Sequence, residues 1–488
     1  MSPTRLASKG SADDYSSSGL PIKPIPGSYG LPFFSPIRDR LDFYYFQGHD
    51  DFFQSRVSKY QSTVFRVNVP PGFSMASDPR VVAVLDAKSF PVLFDLSFVD
   101  KTDVLTGTYI PSAHLTGGFR PLAYLDPADP RHAALKQLLF DLLAARGPRL
   151  IPSFRAAYSA LLDSLEAALA NSGPADFNTL NEATALNFVC DFLFGSAAPA
   201  TTAHNKAIKW LFFQLHPLVT LGLPKLVEEL FLHTFPLPSF LVRSDYKALV
   251  SYFAEAAKPV LDEAEKTRGL SREETLHNLV FAAIFNAYGG VKLSFPRILR
   301  RLAESGPDLH SRLAREIRSV VRSEGGAVTV AGLERMELTK SVVWELLRLD
   351  PPVEYQYARA KKDLVIESHE AAFRVKKGEM IFGYQPLATR DERVFRKGGE
   401  FVADRFVGEE GRKLLKYVYW SNGRETEAAE VGNKQCPGKD VVVMVCRLLL
   451  VEFFLRYDSF TADVGMLPLE PKVTVTSFTR ASSLDHSS

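Results

Sequence analysis

Cysteine is scarce in these 488 residues: Cys190, Cys436 and Cys446 are the only three, and no CxxC pair occurs. Three thiols cannot build a disulfide framework, and the missing pair removes the usual zinc spacing, so a reducing compartment is expected. An excess of one charge is lacking too, since 58 Lys+Arg face 56 Asp+Glu. The basic residues are interleaved with acids and form no stripe, which excludes a nucleic-acid partner. Long apolar runs are also wanting. The most hydrophobic, VVVMVCRLLLVEFFL, is interrupted by Arg447 and Glu452, so no membrane-spanning segment is expected. No internal repeat and no glycine-serine linker divides the chain.

What is present is mostly helical patterning. RHAALKQLLFDLLAA, AAYSALLDSLEAALA, YKALVSYFAEAAKPVLDEAEK, LHSRLAREIRSVVRS and LTKSVVWELLRL place apolar residues at three- and four-residue intervals. Strand-like alternation is confined to short pieces such as STVFRVNV, DLVIES and FRVKKGEMIFGY. The fold class expected is mainly α with small β-sheets, and the regular strand-helix alternation of a doubly wound sheet is missing. Residues 1–23 read as a disordered leader or a short transit peptide, rich in serine but carrying Asp13 and Asp14. Residues 24–488 read as a single domain, opened by the proline-rich PIKPIPGSYGLPFFSPIRDR.

The stretch VGNKQCPGKDVVVMVC sets Cys436 between a glycine-flanked loop and an apolar helix, with Pro437 suited to the helix's first turn. A helix N-terminus lowers a thiol pKa, which suits a metal-binding thiolate. On local grounds the commoner reading stands beside it, a free cysteine as a small buried hydrophobe; Cys446, inside the helix, keeps that one. In SVVWELLRLDPPV, Glu345 and Arg348 share a helix face flanked by Val342, Val343, Leu346 and Leu347, and FVADRF supplies Arg405. An exposed Glu-Arg pair contributes little, but these flanks suggest a buried pair with a second arginine.

ExxR on a helix, then ADRF, then a glycine-flanked cysteine near the C-terminus resembles a cytochrome P-450. The resemblance implies the P-450 fold and a haem b whose iron takes Cys436 as axial thiolate. It also implies that Glu345, Arg348 and Arg405 form the network holding the ligand loop. Lys434 would take the place of the usual loop arginine, and His132 and Lys136 in PRHAALK would meet the haem propionates.

Two departures narrow the match. WSNGRETEAAEVGNKQCPG keeps Trp420 and Gly423 in family order but inserts nine residues before Cys436. In LVFAAIFNAYGGVKLSFP, Gly289 and Gly290 are followed by Val291 and Lys292, where an oxygen-activating enzyme carries an acid-threonine relay. Together with LTGTYIPSAHLTGG, FNAYGG, GYQPLATRD and GNKQCPGKD, these departures resemble the plant enzymes of fatty-acid hydroperoxides: allene oxide synthases, hydroperoxide lyases, divinyl ether synthases and epoxyalcohol synthases.

The resemblance implies homolytic cleavage of the peroxide without dioxygen or a redox partner, and closure of the alkoxyl radical to an epoxyallylic carbon radical. A synthase oxidises that radical and removes a proton; a lyase returns hydroxyl to it, and the hemiacetal falls apart into an aldehyde and an oxo-acid. Asn286 is expected to position the hydroperoxide, since an amide both donates and accepts. Leu105, before TGTY, stands where the synthase branch has an aromatic ring able to stabilise positive charge. Leu105 and Ala287 therefore point to a hydroperoxide lyase of the oxylipin pathway, with allene oxide synthase as the alternative. Lys101 is expected to meet the substrate carboxylate at a solvent-side entrance, and Phe478 to line the pocket. A reading of another class is a haem-thiolate protein that binds lipid surfaces. A plastid location with peripheral membrane association is implied by the resemblance, with the cytosol or another membrane surface as the alternative.

Overall fold

The structure is a computed structural model that describes residues 15–72, 75–104, 107, 109–198 and 203–481. It is mainly helical, with four small sheets among the described residues. The chain divides into two compact units, one of residues up to Ile110 with Tyr355–Val394, the other of Pro111–Glu354 with Phe395 onward.

The first unit holds a five-stranded sheet in the order Val64–Asn68, Arg80–Val84, Met380–Tyr384, Tyr355–Ala360, Val99–Asp100. β-Branched and aromatic residues suit these buried strands. Val64 pairs with Val84 in the antiparallel first ladder, and Val82 lies beside Ile381 in the parallel one. Gly383 is required where it stands: a Cβ there would come within 2.4 Å of the Phe90 ring and 2.5 Å of Leu93. Phe52, Phe53, Phe65 and Phe382 pack with this sheet into one core, each fully buried ring contributing about 2–3 kcal/mol. The leader boundary expected at residue 23 falls inside ordered structure. Ile22 and Lys23 pair in parallel with Ala372 and Phe373, and the Ser18 hydroxyl donates to Glu367 at 2.6 Å.

The second unit is built on long helices. The expected patterns appear as Pro130–Arg146, Leu150–Ser172, Arg243–Ala256, Lys258–Arg268 and Glu337–Leu349. The longest helical run, Arg272–Ser323, holds a window long and apolar enough to cross a membrane, contrary to the sequence expectation, but 61% of that window is buried inside the protein, as in a core helix. It is not uniform. Ala282–Tyr288 forms a π-bulge, and the run breaks again at Gly306, at φ 74° before Pro307. The C-terminal antiparallel hairpin, Tyr457–Met466 with Pro471–Arg480, has no counterpart in the sequence expectations. Its first strand is largely exposed beyond Phe460, so it lacks the period-2 burial that marks a strand in sequence.

Candidate active site

Every residue from Leu338 to Leu349 is buried, including the charged Glu345 and Arg348. Such burial demands full pairing. Arg348 donates from Nε and Nη2 to the two Glu345 oxygens at 2.7 Å, from Nη1 to the carbonyl of Gly398, and from Nη2 also to that of Glu400. Arg405 donates its Nε–H to the same carboxylate at 2.9 and 3.0 Å and reaches the carbonyls of Arg396, Lys397 and Glu400. The Val402 amide adds a fourth N–H donor, and a fifth hydrogen bond, to Glu345 at 3.0 Å. One carboxylate and two guanidinium groups thus fix the chain from Arg396 to Arg405 against the helix, with Phe395 under the Arg348 guanidinium at 4.8 Å.

The cysteine loop closes on itself. The Cys436 amide donates to the Ser421 carbonyl at 2.9 Å, and the Gln435 side chain to the Arg424 carbonyl at 2.8 Å. Asn433 accepts from the amides of Glu430 and Gln435 and donates to Ala428. The helix behind the cysteine starts at Lys439, so Pro437 precedes its first turn, and the buried Lys439 ammonium donates to the carbonyls of Glu425 and Glu427 at 2.7 Å. Glu425, which lies within the inserted residues, was not among the residues singled out from the sequence. Its carboxylate accepts from the indole nitrogens of Trp344, at 2.9 Å, and Trp420, at 2.5 Å. A carboxylate directly after WSNGR, beside a tryptophan, was the available signal.

Three basic side chains expected near the cysteine stand beside its loop. Lys136 donates to the carbonyl and side-chain oxygens of Asn433 at 2.7 and 3.0 Å. Lys434 donates to the carbonyls of Leu122, at 3.0 Å, and Leu125. His132, 1% exposed, meets the backbone of Val431, and its Nδ1 has no partner. Burial, with the charges of Lys434 and Lys136, pushes His132 down to about 4; burial brings Lys136 down to about 8 against the pull of Cys436. The thiol itself corrects an expectation: burial raises the Cys436 pKa, outweighing the Gly438 backbone and Lys136, which lower it.

On the π-bulge, Asn286 is exposed and its side chain has no hydrogen-bond partner among the described residues, while Ala287 beside it is half-buried. Bulges of this kind are frequent at functional sites. Asn278, earlier in the same run, accepts the Leu122 amide at 2.8 Å. The turn Leu122–Tyr124 is therefore tied to this helix by Asn278 and to the cysteine loop by Lys434. On another side, Lys292 is held by Glu470 at 2.5 Å and Glu182 at 3.1 Å.

Other expected residues stand elsewhere. Lys101 is not solvent-side: it is 1% exposed and donates to the Tyr357 carbonyl at 2.8 Å. It follows directly on the strand Val99–Asp100, which turns its stem inward. Phe478 stacks on Tyr457 at 4.0 Å and meets Phe453 at 6.1 Å, near the C-terminal end of the helix Lys439–Arg456. At 1.5 Å per residue, Phe453 lies roughly 20 Å along that helix from its start at the cysteine loop, so this ring belongs to the hairpin core. Leu105 lies outside the described residues.

The family model for cytochrome P450 matches residues 249–480. Allene oxide synthase 2 of Oryza sativa subsp. japonica is 61% identical over 471 residues, covering 95% of this chain and 97% of that protein. The chloroplastic allene oxide synthase of Arabidopsis thaliana is 55% identical, covering 96% and 90%, and chloroplastic allene oxide synthase 1 of Solanum lycopersicum is 54% identical, covering 99% and 91%. These names turn the expectation from lyase toward synthase. Leu105 and Ala287 pointed to the lyase, but two side chains weigh little against identity spread along the whole chain.

The cytochrome P450 family holds haem through a cysteine thiolate, and the residues here fit that group. The Cys436 thiol is half-buried at the start of a helix. His132 Nδ1 is a buried polar atom lacking a partner, and Lys136 has three donors of which Asn433 takes two. These groups suit anionic propionates, and iron would hold the thiol deprotonated despite its burial.

Proposed function

Because this chain belongs to the cytochrome P450 family, in the plant branch of its allene oxide synthase relatives, we propose that it is itself an allene oxide synthase. It removes water from a polyunsaturated fatty-acid hydroperoxide to leave an allene oxide, and takes neither dioxygen nor electrons from a reductase. The observation that carries this reading is the near-full-length identity to proteins of that name. Haem, when bound to Cys436, supplies the iron at which the peroxide O–O bond is cleaved. The chain's own residues supply placement. Asn286 offers an amide donor and acceptor to the peroxide oxygens from an open position on the bulge. Lys434 and Asn278 hold the turn Leu122–Tyr124 between the cysteine loop and that helix.

A plastid location is supported by the relatives named chloroplastic. Contact with a lipid surface is supported by residues 221–243, which expose Leu221, Leu223, Leu226, Leu230, Phe231 and Phe240. The exposed charges in that stretch are Lys225 and Arg243, both cationic, while Glu228 is buried, accepting from the amides of Leu221 and Leu223.

The test is product analysis. Haem-loaded protein, given defined 9- and 13-hydroperoxides without reductant, should yield α-ketol from hydrolysed allene oxide. Short-chain aldehyde with an oxo-acid as the main products would overturn the reading.

A further inference from the structure

Glu425 belongs to the nine inserted residues and touches neither the cysteine nor the Glu345 network. Yet it stands where both meet. Trp344, one residue before Glu345 in the buried helix, donates to one oxygen; Trp420, just ahead of the loop, donates to the other. The chain contains three tryptophans, so two of them converge on one carboxylate. The Glu425 backbone is fixed as well. Its amide donates to the Val418 carbonyl at 2.9 Å, and its carbonyl accepts from Lys439, the first residue of the cysteine helix. Elsewhere the loop is bonded outward through Asn433 to Lys136, through Lys434 to the carbonyls of Leu122 and Leu125, and through the Val431 backbone to His132.

We infer that Glu425 is a positioning residue: by bridging two indole N–H groups it ties the inserted cysteine loop to the helix of Glu345 and Arg348, and so holds the Cys436 sulfur in place for iron. A carboxylate suits this task because it is acceptor-only when ionised, so both oxygens can receive an N–H. Burial raises its pKa, as expected for a carboxyl group enclosed by two rings. The inference rests on cysteine ligation of haem and not on which product is made, so it can fail while the proposed activity stands.

The experiment uses haem-loaded protein and follows loss of the thiolate-type absorption band on warming, with far-UV circular dichroism on the same samples to follow global unfolding. Glu425→Gln presents an N–H to one of the indoles and should lose the band about tenfold faster than wild type, ahead of global unfolding. Adding Trp344→Phe removes the opposing N–H, and the double variant should recover part of the lifetime. If Glu425→Gln does not accumulate, Trp344→Phe alone, which leaves the carboxylate on Trp420, should still shorten the band's lifetime. Ultraviolet resonance Raman of the haem-free protein gives a second readout: all three indoles are hydrogen-bonded in wild type, Trp210 to the Leu115 carbonyl and the other two to Glu425, and fewer should be so in Glu425→Gln. A wild-type band lifetime in both single variants, band loss only in step with global unfolding, or indole signals unchanged by Glu425→Gln would overturn the inference.

Discussion

The Lys136 ammonium grips Asn433 twice, at the backbone carbonyl and at the side-chain oxygen, three residues ahead of Cys436. A cation from the helix Pro130–Arg146 thereby fixes the strand of loop that leads into the cysteine. Lys136→Met keeps the stem's packing and removes the donors. It should lower the fraction of purified protein carrying haem with a thiolate-type spectrum, measured as the band's ratio to protein absorbance. Lys136→Arg should retain most of it.

Glu345 accepts five hydrogen bonds in a site closed to water. Glu345→Gln leaves two buried guanidinium groups without their counter-charge, and breaking a buried pair in this way costs about 3–5 kcal/mol. Denaturant unfolding of the haem-loaded variant should show a loss of that size. A loss below about 1 kcal/mol would mean that the arginines find other partners.

Asn286→Leu removes the only side-chain amide on the π-bulge while leaving the apolar neighbours in place. If the amide holds the hydroperoxide, kcat/KM should fall by roughly 10²-fold, the size typical of one lost polar contact at a reacting group. The thiolate-type spectrum should stay as in wild type. Equal loss of both would assign Asn286 to folding instead.

Two histidines predict an acid limit. Burial pushes His132 and His216 each down to about 4, against about 6.5 in an unfolded chain. Between these values the unfolded state binds more protons, so stability rises with pH across that window, is complete above pH ~6.5, and falls as pH drops toward 4. Chemical denaturation at stepped pH should show this decline, and His216→Asn should flatten part of it.

The apolar stretch 221–243 makes a physical prediction of its own. Leu226 and Phe231, 85% and 62% exposed, changed together to aspartate, should abolish co-sedimentation with vesicles of anionic lipid. Val330→Asp, an exposed apolar site in another stretch, should leave binding unchanged.

How far the sequence could be read depended on the range of the interactions. Glu345, Arg348 and Arg405 were legible because an i,i+3 pair between valines and leucines has few outcomes once buried. Cys436 was left open by its glycines and the apolar helix behind it, which suit a buried thiol as well; its ligand role came only with the resemblance that Glu345, Arg348 and Arg405 carry. Lys101 was placed at a solvent-side entrance because a lone lysine reads as solvent-facing, whereas its partners include the carbonyl of Tyr357, 256 residues on. Phe478 was misplaced since it meets its partner ring on Tyr457 across a hairpin that no short-range pattern announced. Glu425 was missed for a related reason: its two donors lie 81 and five residues away, and only folding gathers them. The choice between lyase and synthase hung on single side chains whose neighbours a local reading does not supply.

Lys292 occupies the stretch of helix where an acid-threonine relay would feed protons to dioxygen, and its ammonium is taken by Glu182 and Glu470. If the proposed activity holds, flux through such an enzyme is independent of the cell's supply of reducing equivalents. Its throughput is then governed by the dioxygenation reaction that furnishes the hydroperoxide, so the enzyme can respond within moments of a burst of lipid oxidation, in the dark as in the light.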